Sequence, residues 1–131
     1  MKGIARGARG AVALAMFVIL SPVLAAEDPD DPCQQGSAMA AFMCQGPVWK
    51  AAEQQLQVTY ERVMTSLRRY DSVLADDLRD AQRLWIRQRE LDCSLYARNR
   101  VEGSPWTGFW ESECHAEQAR IRTAWLQSLE Y

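Results

Sequence analysis

The chain has 131 residues and a formal net charge of −2 at pH 7. That length accommodates one ordinary domain and not two. An acidic balance without clustered Lys and Arg excludes nucleic acid as the natural partner, and no Gly-rich phosphate loop, H-E-x-x-H or G-x-S-x-G motif is present.

The first segment reads as a secretory signal peptide over residues 1–25. Lys2, Arg6 and Arg9 form a basic start, an uninterrupted apolar run follows over residues 11–20, and Ser21-Pro22-Val23-Leu24-Ala25-Ala26 supplies a helix breaker and then small residues. The apolar run falls short of the roughly 20 residues that span a bilayer, and Pro22 closes it. Cleavage after Ala25 presents Val23 and Ala25 to the peptidase and is preferred to cleavage after Ala26. No Cys lies at the junction, so a product without a lipid or membrane anchor is expected, periplasmic or secreted. Removing the signal takes away three of the 15 basic residues and none of the 17 acidic ones, leaving 12 against 17, a net charge of −5. Such a charge keeps a small exported protein soluble, and it suits a basic partner by speeding encounter.

Residues 26–36, with Glu27-Asp28-Pro29-Asp30-Asp31-Pro32 at their heart, form a mobile acidic leader. The domain proper occupies residues 37–131. Gly36-Ser37 offers an N-cap for a short N-terminal helical turn over residues 38–44, and Gly46-Pro47 is expected to kink or restart the helix. A 3.6-residue stripe of Trp49, Ala52, Leu56, Tyr60, Val63, Leu67 and Tyr70 predicts the first long helix, ending near Asp71. Leu74, Leu78, Ala81, Trp85, Cys93 and Tyr96 predict the second, capped by Asp71 or Ser72 and running to about Arg98. Residues 99–110 carry two Gly and one Pro and are expected to be a loop. Glu111 then opens a third helix with a stripe of Cys114, Gln118, Ile121, Trp125 and Leu129. With no alternating pattern of useful length, the fold class is all-α, a three-helix up-down-up bundle.

All four cysteines follow the signal, and an even number in an exported chain reads as two disulfides. A zinc site would want close pairs, which these spacings do not provide, so no metal or other cofactor is expected. Antiparallel packing gathers the cysteines at one end of the bundle. Cys33 outside a helix start and Cys44 two turns inside would lie about 11 Å apart, too far to bond. Of the three possible connectivities, Cys44 with Cys93 and Cys33 with Cys114 is therefore favoured.

Catalysis is not expected. His115, the one histidine, adjoins a cysteine consumed by a disulfide and reads as a surface residue. Asp76, Asp77 and Asp80 sit where helix-dipole compensation already explains them. Two other features stand out. On the second helix Gln82, Trp85, Arg89, Cys93 and Tyr96 share one face, where a buried Arg requires a carboxylate such as Glu53. In the segment 101–110, Trp106, Phe109 and Trp110 lie among Gly103, Ser104, Pro105 and Gly108, and either anchor a protein partner or cover the core.

The run Ala81-Gln82-Arg83-Leu84-Trp85-Ile86-Arg87-Gln88-Arg89-Glu90-Leu91-Asp92-Cys93 resembles the A-Q-R-x-W-x-x-x-R-x-x-x-C signature of the lysozyme inhibitor LprI-like N-terminal domain family. Cys33, Met43-Cys44, Ala52-Glu53, Leu56-Gln57 and Tyr60 upstream, with Gly103-Ser104, Glu113-Cys114, Arg122 and Leu126 downstream, are similar to the rest of its pattern. The resemblance implies a small exported helical protein that binds and inhibits lysozyme, with Gln82, Arg83, Trp85, Arg89, Glu53 and Tyr60 as structural positions. The family's namesake is a membrane-anchored lipoprotein, whereas this chain lacks the lipid-site Cys. Inhibition by occlusion of the lysozyme cleft is the leading expectation, and a periplasmic helical adaptor or envelope-stress protein with no effect on lysozyme is the alternative.

Overall fold

The computed structural model describes residues 31–130, so the expected signal peptide over residues 1–25 and residues 26–30 of the expected acidic leader lie outside the described residues. Within them the chain forms a single 3-10 turn, Pro32–Gln34, and three helices: α1 (Ala38–Tyr70), α2 (Ser72–Val101) and α3 (Trp106–Gln127). They run up, down and up, and α3 lies against both others, which touch each other less. No strand occurs among the described residues.

Local chemistry accounts for the helix ends. The Ser37 side chain accepts a hydrogen bond from the Ala40 amide at 3.1 Å, giving α1 its N-cap. Asp71 alone separates α1 from α2. Its extended backbone stops α1 while its amide still donates to the Leu67 carbonyl, and its carboxylate accepts from the Val73 and Leu74 amides at 2.9 and 3.2 Å. One residue thus satisfies orphan groups of both helices and forces a tight reversal.

α1 continues without interruption through Pro47, contrary to the expected restart. The missing proline amide leaves one carbonyl, that of Met43, without its helical donor. Met43 and Pro47 are both exposed, so water can take that donor's place.

The core is built from Leu56, Val63, Met64, Leu67, Leu78 and Leu126, closed up by Ala52, Ala75, Ala116 and Ala119. The small residues explain why α3 presents a different face from the one its large apolar side chains suggest. Ser112, His115, Ala116, Ala119, Thr123 and Leu126 face inward, whereas Ile121 and Trp125 are exposed. Alanine and hydroxyl side chains let α3 sit close between its neighbours, and steric fit overrides the hydrophobic stripe. Tyr70 and Leu74, the outermost members of the first two stripes, are exposed for a simpler reason: they lie at the bundle's open end.

The disulfides are Cys33–Cys44 and Cys93–Cys114, with Cα separations of 5.6 and 5.4 Å. This corrects the favoured pairing of Cys44 with Cys93 and Cys33 with Cys114. The 11 Å estimate assumed that the leader continues outward from the helix start. Instead Gly36 adopts a left-handed backbone (φ +69°), and the chain doubles back so that Cys33 lies beside the second turn of α1. Cys93 and Cys114 then close the α2–α3 hairpin. Loops of these lengths restrict the unfolded chain enough for about 3 kcal/mol of stability per disulfide.

Tryptic digestion under non-reducing conditions checks this pairing. Cys33 and Cys44 fall on one peptide ending at Lys50, because no Lys or Arg lies between Arg9 and Lys50. The expected result is that peptide with an internal bond, and a separate linked pair of residues 90–98 and 101–120. A single linked species containing all three peptides would overturn the assignment.

Candidate functional site

The inner face of α2 carries a ladder of polar contacts through the bundle. Gln82, Trp85, Arg89 and Cys93 follow one another at three- and four-residue spacing and all point between α1 and α3. Arg89 is the centre. Its side chain is only 8% exposed, and its Nη1 donates to Glu53 Oε1 on α1 at 2.6 Å. Trp49 Nε1 donates to the same oxygen at 3.0 Å, one helical turn before Glu53. The guanidinium lies over Trp85 at 4.7 Å. From α3, Arg122 approaches the same indole at 5.4 Å, donates through Nε to Gln82 Oε1 at 2.9 Å, and stacks over Trp125 at 3.9 Å. Cys93, fully buried, ends the ladder in its bond to α3. Each rung joins α2 to another helix, and Tyr60 packs half-buried against the adjoining core. Arg83 belongs to the same sequence run but is exposed, with Asp80 at 3.7 Å.

His115 is buried, not the surface residue expected, because the inward face of α3 is rotated from the predicted stripe. Its ring stacks on Trp49 at 4.9 Å with an interplanar angle of 13°, and its Nε2 lies 3.7 Å from Glu90. Burial pulls its pKa below the ordinary 6.5, against the upward pull of the Glu90 carboxylate. Between those two values the unfolded chain holds more protons than the folded one, so stability is complete above 6.5 and falls as pH drops through the folded value.

The other end of α2 leads into the second candidate region. The expected loop over residues 99–110 is mostly helical: α2 reaches Val101, α3 starts at Trp106, and only residues 102–105 form the turn. Gly103 (φ +69°) takes the left-handed position there. Ser104 accepts from the Trp106 amide at 3.3 Å through its hydroxyl and from the Thr107 amide at 2.9 Å through its carbonyl. Thr107 Oγ1 donates to the Val101 carbonyl at 2.7 Å, pinning the two helix ends together. Trp106, Phe109 and Trp110 interlock edge to face, at 5.7 and 5.0 Å, on the first turns of α3. All three are half-buried. Arg100 covers Trp110 at 4.4 Å and Tyr96 at 4.6 Å, and the Tyr96 hydroxyl donates to Glu113 at 3.3 Å. The region is therefore a rigid, aromatic-backed turn with Glu102 and Gly103 exposed at its tip.

Asp31 brings its carboxylate within 4.8 Å of the sulfurs of Cys33 and Cys44, but those sulfurs are bonded to each other and the carboxylate accepts from the Cys33 amide at 2.9 Å. Sequence reasoning missed the Gln82–Arg122 rung and the Trp49–His115 stack. Trp49 one turn before Glu53 on α1 was a legible signal for their hydrogen bond, whereas the Arg122 and His115 contacts depend on which face α3 turns inward.

Fold and sites define a disulfide-tied helical scaffold with a stiff projecting turn. The sequence pattern of the family described as Lysozyme inhibitor LprI matches residues 31–126, and the chain belongs to that family. An uncharacterized protein of Rhizobium meliloti is 30% identical over 130 residues, covering 91% of this chain and 93% of the relative. No solved structure matches the chain.

Two measurements check the inner face. Glu53→Ala leaves the buried guanidinium with only Glu90, at 3.6 Å; since Glu53 is 34% exposed, the loss should be about 2 kcal/mol, below the roughly 3–5 of a fully buried pair, while Arg83→Ala changes stability by less than about 0.5 kcal/mol. Equal effects in urea denaturation would contradict the distinction. In NMR, the His115 ring should titrate below 6.5, and the urea midpoint should be lower at about pH 5.5 than at about pH 7.5. His115→Gln should shrink that difference; a titration at or above 6.5 would contradict the burial argument.

Proposed function

We propose that this protein is an exported inhibitor of lysozyme that acts by occluding the glycan cleft. The family match over residues 31–126 carries the proposal. Two disulfides suit an oxidising compartment outside the cytoplasm, the signal-like sequence over residues 1–25 supports export, and no described helix is long and apolar enough to cross a membrane.

The contact region we assign is the turn at residues 102–105 with Trp106 behind it. A rigid tip loses little conformational entropy on binding, and an aromatic anchor behind it supplies contact area. Glu102 and the net negative charge of the processed chain favour encounter with a basic enzyme. Glycosidic hydrolysis needs a sugar ring between two carboxylates, so a turn seated there stops it without chemistry of its own. Phe109 and Trp110 brace the turn from α3.

The test is lysis of cell-wall suspensions by several lysozyme types, with and without protein recovered from the periplasm of cells expressing the full chain. Lysis should slow in proportion to added protein. Trp106→Ala and the exposed-tip variant Glu102→Arg should each weaken inhibition roughly tenfold or more, with Glu102→Arg leaving the thermal midpoint unchanged. Equal lysis rates for every lysozyme type would defeat the proposal and favour the adaptor alternative, which a periplasmic pull-down would then pursue.

A further inference from the structure

The outer face of α2, opposite the polar ladder, is apolar where a solvated helix face should be polar. Leu84, Leu91 and Leu95 are 64%, 69% and 61% exposed. With Gln88 they recur at spacings of four, three and four residues, the a/d seam of a helix that packs against another helix. Nothing within the described chain covers them, since α2 meets α1 and α3 through Leu78, Gln82, Arg89 and Cys93 on its other side.

The charges bordering the seam say what covers it. Its N-terminal end carries Asp80, whose side chain is 68% exposed and lies 3.7 Å from Arg83 and 4.0 Å from Arg79 on its own helix, and its C-terminal end carries Arg98, which makes no ion pair among the described residues. Both lie on the same flank. Pairing α2 with a parallel copy would put Asp80 level with Asp80 and Arg98 level with Arg98, at opposite ends of the seam, so the two opposite charges could not meet. An antiparallel copy that places Leu84 opposite the other copy's Leu95, and Gln88 opposite its Leu91, sets Asp80 beside Arg98 twice. It also opposes the two helix dipoles. With both charge signs present, the face is not one shaped for a uniformly basic surface.

We infer that the outer face of α2 is a self-association surface on which a second copy of this chain packs antiparallel, about a two-fold axis near residues 89 and 90. The surface is isologous, as closed dimers require. The four-residue core of the seam spans about 17 Å of helix, so the contact is small and the dimer concentration-dependent. The turn at residues 102–105 lies beyond the seam's C-terminal end, so each copy keeps its own tip.

Sedimentation equilibrium of protein recovered from the periplasm of cells expressing the full chain tests this. The expected result is a monomer–dimer equilibrium, abolished by Leu91→Glu with an unchanged helical circular dichroism spectrum. Asp80→Arg should raise the dimer Kd roughly tenfold, and adding Arg98→Asp should restore it, because the swapped charges meet again only in the antiparallel register. A monomer at every concentration overturns the inference, as does a dimer indifferent to Leu91→Glu; a dimer unmoved by the charge swap overturns the register. If wild-type protein is monomeric and Leu91→Glu instead abolishes lysozyme inhibition, the face serves the enzyme and self-association is wrong.

Discussion

The buried guanidinium of Arg89 is the constraint around which the bundle is arranged. A charge taken that far from water must be matched by a carboxylate at close range, and Glu53 supplies it from α1 at 2.6 Å. That single requirement fixes the axial register of α1 against α2. Trp49 then shares the Glu53 oxygen, His115 stacks on Trp49, and α3 is positioned through the histidine as well as through Cys114. A modest core rich in alanine is compatible with a defined structure because these directional contacts select one packing from the several that small side chains would permit.

The same arrangement divides the family's signature into parts with different work. Gln82, Trp85, Arg89 and Cys93 face inward and join helices, while Arg83, in the middle of the run, faces water. The most recognisable sequence element therefore marks the scaffold. In the function we propose, partner contact falls instead to the α2–α3 turn, which the Cys93–Cys114 bond and the Thr107–Val101 hydrogen bond stiffen.

Much of the fold was legible in the sequence. Number, order and direction of the helices followed from the α1 and α2 stripes, and Ser37 and Asp71 cap as their residue types predict. What was not legible depended on backbone reversals and on packing between distant segments. The Cys33–Cys44 bond required knowing that Gly36 turns the leader back on itself. α3 was misplaced in both start and face because its Gly- and Pro-containing opening looks like a loop, and because alanines, not its large apolar residues, line the interface. His115 was assigned to the surface because no catalytic partners accompany it, and the rotated face of α3 buries it instead. The Arg89–Glu53 contact was anticipated, since a buried charge leaves few candidate partners; the Arg122 contribution was not, because its burial follows from the face α3 turns inward, nor was that of Trp49, because an indole N–H does not oblige any one acceptor.

The proposed function requires that scaffold and contact surface be separate. Amide chemical-shift mapping of isotope-labelled protein during titration with lysozyme examines it directly. The largest perturbations should fall on Gly103, Ser104, Trp106 and their neighbours at the tip, with the Gln82, Arg89 and Cys93 amides nearly unmoved. No perturbation anywhere, or perturbations concentrated along α2 away from the turn, would contradict it.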